Sequence, residues 1–182
     1  NDAGVFAASE KADAVTFSPF AGNLHEAVKQ ANSRGVGLIS MVLMSNPEFK
    51  REKNKLVKVV EDEGYLERDI HHLQTAGEDI GLYVHQYIQL AHDAGLYGAS
   101  GVVIGAPSAK NHITECEIKK VREYLGDNML VLLPGVGAQG GDVEKTVKAG
   151  LNSKGSGMII SSSRGIIFAS TGRDFVEKAR TA

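Results

Sequence analysis

The chain has 182 residues, 42% of them hydrophobic, and a formal net charge of −2. That length and apolar content suit one soluble domain over 1–182, and the near-neutral balance gives no electrostatic case for nucleic acid or a membrane surface. The longest strongly apolar run, VGLISMVLM, is about half of a bilayer span, no basic stretch followed by an apolar one opens the sequence, and the single cysteine, Cys116, has no partner for an internal disulfide, so a cytoplasmic location is expected.

In chain order, DAVTFSPF (13–20) reads as a buried strand and NLHEAVKQANSRG (23–35) as a helix that Asn23 can cap and Gly35 can end. VGLISMVLM (36–44) is a second strand. A long charged excursion follows at 48–81, EFKREKNKLVKVVEDEGYLERDIHHLQTAGEDIG, read as a solvated insertion with two short helices, or else as a lid over a site. LYVHQYIQLAHDAG (82–95) places Val84, Ile88 and Ala91 on one helix face and stops at Gly95. SGVVIGAP (100–107) is a third strand. HITECEIKKVREYLG (112–126) is a helix with Ile118, Val121 and Leu125 at helical spacing, and Cys116 there reads as structural rather than nucleophilic. MLVLLPG (129–135) and GMIISSS (157–163) are the last strands; GDVEKTVKAG (141–150) and GRDFVEKARTA (172–182) are the last helices.

The strand runs are rich in Val, Ile and Leu and do not alternate with polar residues, as expected where both faces of a parallel sheet are covered. Strand–helix alternation is the pattern of βαβ units. It leaves two architectures open: a doubly wound sheet, or part of a (β/α)₈ TIM barrel, of which only about the last five β/α units are represented.

In either architecture sites form at the C-terminal ends of strands. Those ends carry Ser45 and Asn46, then GAPS, then the glycine-rich LPGVGAQGGD with Gln139, then SSSRG with Ser163, Arg164 and Gly165. A glycine-rich turn is often only a turn. It can also bring backbone N–H groups close to an anion. An arginine one strand later adds a planar, bidentate cation suited to phosphate. Six histidines invite a metal reading, but no His-x-x-x-His pair with a carboxylate stands in the sequence, and no G-x-S-x-G elbow marks Ser161–Ser163 as nucleophiles.

LPGVGAQGGD followed by MIISSSRGI, with MSNP and DAVTFSPFAG earlier, resembles the orotidine 5′-monophosphate decarboxylase family from about residue 13 to the C-terminus. The resemblance implies a homodimeric (β/α)₈ barrel with neither metal nor organic cofactor. It implies conversion of a nucleotide substrate, orotidine 5′-monophosphate (OMP), to uridine 5′-monophosphate (UMP) and carbon dioxide in pyrimidine biosynthesis. Carried over by position, Pro134, Gly135 and Gly140 belong to the phosphate loop, and Gln139 spans phosphate and pyrimidine. Arg164 holds the phosphate with Ser163 and Gly165 beside it, Ser45 contacts the pyrimidine, and Asp2 is the catalytic aspartate that reaches the partner subunit's site. A fusion to an orotate phosphoribosyltransferase is a further possibility in such a family.

The family's Asp-x-Lys before that aspartate has no match, and neither do its first two strands. Val5 to Asp13 is too short for a loop and a long helix, so residues are expected to be missing between Gly4 and Val5 and upstream of Asn1. Two other readings stay open. One is another sugar-phosphate lyase on a related barrel, against which Ser45 and the Gln139 loop speak. The other is a non-catalytic nucleotide-binding relative.

Overall fold

The computed structural model describes residues 12–60, 64–75, 78–135 and 143–181, without the side chains of residues 78, 163 and 164. The elements are β1 (Ala14–Phe17), α1 (Leu24–Ser33), β2 (Gly37–Leu43), α2 (Phe49–Lys53), β3 (Leu56–Val59), β4 (His71–Thr75), β5 (Glu78–His85), α3 (Gln86–Leu96), β6 (Gly101–Ile104), α4 (Glu115–Leu125), β7 (Leu130–Pro134), α5 (Val143–Gly150), β8 (Met158–Ser161), α6 (Ser163–Ile167) and α7 (Phe175–Thr181).

The five apolar runs form one parallel sheet in the order β1-β2-β6-β7-β8. Its register sets Phe17, Ser40, Val102, Val131 and Met158 in one row across the strands. This row faces the helices. Ala27, Val28 and Ala31 of α1, Ile88 and Ala91 of α3, and Ile118, Val121 and Leu125 of α4 bury against it. Burial on the helix side, with partial cover on the other, explains why these strands lack polar alternation.

The opposite face carries Met41, Val103, Leu132 and Ile159 in one row. Leu130 and Ile159 on this face are 37% and 44% exposed. In a closed (β/α)₈ barrel this face lines the interior, where side chains from alternate strands interlock. The sheet is thus a five-strand arc of such a barrel, with β1 and β8 each paired on one side among the described residues.

Opposite the site edge, Arg122 staples the sheet to its helices. Only 8% exposed, it donates to Gly150 O (2.7 Å), Met129 O (2.8 Å), Gly157 O (2.9 Å) and Gly126 O (3.1 Å). One guanidinium satisfies the carbonyls at the ends of α4 and α5 and the starts of β7 and β8, which its fork of five donors permits. Burial lowers its pKa from the usual arginine value.

The charged excursion differs from the two short helices expected. It is the single-turn α2 followed by a three-stranded antiparallel sheet in the order β3-β5-β4. The last strand takes residues 82–85 from the expected helix, so α3 begins at Gln86, with its first N–H donating to Lys55 O at 2.9 Å. The excursion also buries Phe49, Val59 and Asp69. Asp69 accepts from Lys120 at 2.5 Å and from the Tyr124 hydroxyl at 3.2 Å on α4. Desolvation first, with Asp69 adding to it, raises the Tyr124 hydroxyl to about 12, so it stays a donor.

Two smaller expectations are corrected. Asn23 occupies the N-cap of α1 but makes no side-chain cap bond there. The helix expected to stop at Gly95 continues to Leu96. Cys116 is exposed on α4.

Candidate active site

The exits of β2, β6, β7 and β8 lie side by side. Gly105 N–H donates to Leu43 O at 2.8 Å, Ala106 N–H to Pro134 O at 3.0 Å, and Gly135 N–H to Ser161 O at 3.2 Å. These bonds carry the sheet's ladder past the last strand residues and align four loops along one edge. In parallel α/β folds this is the edge at which loops are released from the ladder and free to line a site.

A cavity of about 210 Å³ opens between the first three exits, lined by Met44, Ser45, Asn46, Val103, Gly105 and Pro134. Ser45 is half-buried at its rim, and its hydroxyl can both donate and accept. Asn46 donates to Glu48 Oε2 at 3.0 Å, and that bond holds the Glu48 carboxyl below its usual pKa.

Two glycines make the geometry possible. A Cβ on Gly105 would stand 2.8 Å from Ser45 Cβ and 2.9 Å from Ser45 N, so only glycine lets the β6 exit approach so closely. Gly135 has φ +91° directly after β7, a region that L side chains disfavour. The chain therefore turns off the strand at once, which accounts for the abrupt glycine after LVLLP.

Of the residues singled out from sequence, Ser45 and Pro134 share this cavity and Gly135 adjoins it. The backbone of Ser163, Arg164 and Gly165 opens α6 immediately beyond β8, next to the β7 exit through the Gly135–Ser161 bond. Asp2, Gln139 and Gly140 lie outside the described residues. Gly105 was passed over within GAPS; a glycine at a strand exit, one strand from Ser45, was the available signal. The box of Thr114 and Glu117 that caps α4 was legible as T-x-x-E and also went unread.

The histidines do not gather. His71 and His85 meet edge to face, with centroids 4.9 Å apart, and His92 stacks on Tyr65 at 4.2 Å. Among the described residues, no three His, Cys, Asp or Glu side chains converge as a metal site, and no helix is long and apolar enough to cross a membrane.

The model of the orotidine 5′-phosphate decarboxylase / HUMPS family matches residues 2–180. The chain belongs to this family. An orotidine 5′-phosphate decarboxylase of Cupriavidus metallidurans is 36% identical over 170 residues, covering 93% of this chain and 52% of that relative. One of Ralstonia pickettii is 44% identical over 112 residues, 62% of this chain and 38% of the relative. The chain thus spans about half or less of the length of these curated relatives. Among solved structures, Leishmania donovani OMP decarboxylase gives a TM-score of 0.64 at 20% identity, over 99% of this chain and 58% of that one. Leishmania donovani UMP synthase gives 0.68 at 23%, over 99% and 34%. These likenesses establish the orotidine 5′-phosphate decarboxylase barrel fold for the five-strand arc.

Proposed function

We propose that this chain supplies the C-terminal part of an OMP decarboxylase. The observation that carries the reading is the cavity where Ser45, Gly105 and Pro134 meet at the C-terminal edge of the sheet, in a chain of this family. Ser45 contacts the pyrimidine at the β2 exit. Pro134, Gly135 and Gly140 shape the loop for the phosphate, Arg164 clamps it with the Ser163 and Gly165 backbone, and Gln139 closes from phosphate to base. Two or more hydrogen bonds to a phosphate far from the reacting carbon give binding free energy that is realised at the reacting end.

At that end Asp2, from the neighbouring subunit of a homodimer, faces the substrate carboxylate. Two like charges held together raise the ground state relative to the transition state, in which the carboxylate charge disperses. The C–C bond breaks, carbon dioxide leaves, and the electron pair left on the ring carbon takes a proton from a lysine ammonium. By the family resemblance that lysine stands two residues after an aspartate and three before Asp2. The reaction is that of a carbon–carbon lyase. The likeness to a UMP synthase supports a further proposal, that such a unit is fused to an orotate phosphoribosyltransferase.

The test is release of labelled carbon dioxide from carboxyl-labelled OMP by the full-length protein, with stoichiometric UMP. Turnover that Arg164→Ala lowers at least about a hundredfold supports the reading. Tight UMP binding without carbon dioxide release points instead to a non-catalytic relative.

A further inference from the structure

Lys53, the last residue of α2, is 6% exposed although it belongs to the most charged stretch of the chain. Its Nζ donates to His112 O and pairs with Glu117 Oε1. The other oxygen of that carboxylate accepts from Thr114 N–H at 2.9 Å and Thr114 Oγ1 at 3.2 Å. One carboxylate therefore closes the cap of α4 and neutralises a lysine 64 residues away in sequence.

Between these partners the chain is laced to the cavity. His112 Nε2 lies 3.1 Å from Asn46 O, and the ring stacks on buried Phe49 at 6.4 Å. The Asn111 side chain braces the same loop, donating to Ala106 O at 2.8 Å and accepting from Ile113 N–H at 3.0 Å. Ile113 Cδ1 in turn lies 3.0 Å from where a Cβ on Gly105 would stand, and Ser45 N lies 2.9 Å from the same point. Ser45 thus opens the segment 45–53, which packs against the segment 105–117, and the Lys53–Glu117 pair is the ionic link that joins the two.

We infer that Lys53 and Glu117 are positioning residues that set Ser45 in the cavity, so that the first turn of the charged excursion acts on the nucleotide site through Ser45. This rests on the reading of Ser45 as a pyrimidine contact. A buried ion pair is weak support for stability, because desolvation offsets its attraction. Its better-attested use is to fix one arrangement over others. Here the arrangement fixed is the approach of the β2 exit to the β6 exit. None of the residues lining the cavity comes from α2, β3, β4 or β5; α2 bears on the site only through Lys53, whose ion pair with Glu117 links it to the loop after β6.

A double-mutant cycle on UMP affinity, measured by calorimetry on the full-length protein, tests this. Lys53→Met is expected to weaken UMP binding about tenfold when Ser45 is present and less than about twofold in a Ser45→Ala background, because nothing then remains to be misplaced. Lys53→Arg, which keeps the charge and its donors, should recover most of the loss. Glu117→Gln, which keeps an acceptor for Thr114, provides a second route to the same coupling if Lys53→Met folds poorly. Equal losses in both backgrounds, or no loss in either, overturn the positioning role. If Ser45→Ala alone leaves UMP affinity unchanged, the assignment of Ser45 fails, and the positioning role fails with it. A Ser45 effect with additive Lys53 losses sinks the positioning role alone.

Discussion

At the scale of single residues, the chain depends on a few groups whose partners lie far away in sequence. Arg122 is the clearest. Its four acceptors are backbone carbonyls at the ends of two helices and the starts of two strands. Arg122→Met keeps the apolar stem and removes every donor. It should lower unfolding stability by more than about 3 kcal/mol in urea melts, since buried acceptors lose charge-assisted bonds. A loss under about 1 kcal/mol would show that water replaces the guanidinium. Gly105→Ala acts on the site as well as on the fold. The added methyl meets Ser45 backbone nitrogen at 2.9 Å, and backbone cannot rotate aside. The expected result is UMP affinity reduced by at least about fivefold with a melting temperature lowered by about 2–12 °C, in line with a local overpacking cost of about 1–3 kcal/mol. Unchanged affinity would mean that Ser45 does not touch the nucleotide.

At the scale of elements, the antiparallel sheet of the excursion brings a pH dependence. His85 stands where β5 meets α3, and its pKa lies below the ordinary 6.5, through desolvation first and the neighbouring His71 second. Its Nδ1 is buried without a hydrogen-bond partner. The Asn54 backbone and Asp69 pull the other way, and Lys120 adds to the lowering. The unfolded chain therefore binds a proton near pH 6.5 while the folded chain does not. Stability is full above that pH and falls as pH drops below it, because the unfolded state then holds more protons. His85→Gln should flatten the decline between about pH 6.5 and pH 5 in thermal melts. An unchanged slope would remove His85 as the cause. The same element carries the contrast with α2: deleting the outer strands while retaining 45–56 should leave turnover within about tenfold, whereas a loss near a thousandfold with the fold intact would make the sheet a lid.

At the scale of the whole molecule, the proposed assembly makes a prediction across subunits. If Asp2 acts in the neighbouring site, full-length Asp2→Asn and Arg164→Ala proteins are each inactive alone. After subunit exchange, the heterodimer holds one site with both defects and one with neither. Activity should then return toward about half of wild type per dimer, the closed site needing both charge and phosphate grip. No recovery despite demonstrated heterodimers would place Asp2 in its own subunit's site or outside catalysis. The exposed Leu130 and Ile159 belong to the same scale: they lie on the face that a complete barrel turns inward.

The sequence by itself determined the five parallel strands, the helices between them and the edge on which a site would form. The reason is local. A strand covered on both faces must be apolar throughout, a helix must repeat its apolar residues every three to four positions, and glycine must stand where the chain leaves β7 with positive φ. The tertiary structure alone decided the rest. LVKV, HHLQT and EDIGLYVH carry charges and histidines that hide their strand character, and only pairing with one another, and burial of Val59 and Val84 in the core, makes them a sheet. Lys53 and Glu117 each read as surface charges in a charged neighbourhood. That they meet in a buried pair depends on the segments after β2 and β6 converging, and convergence of distant segments leaves no periodicity for a sequence to display.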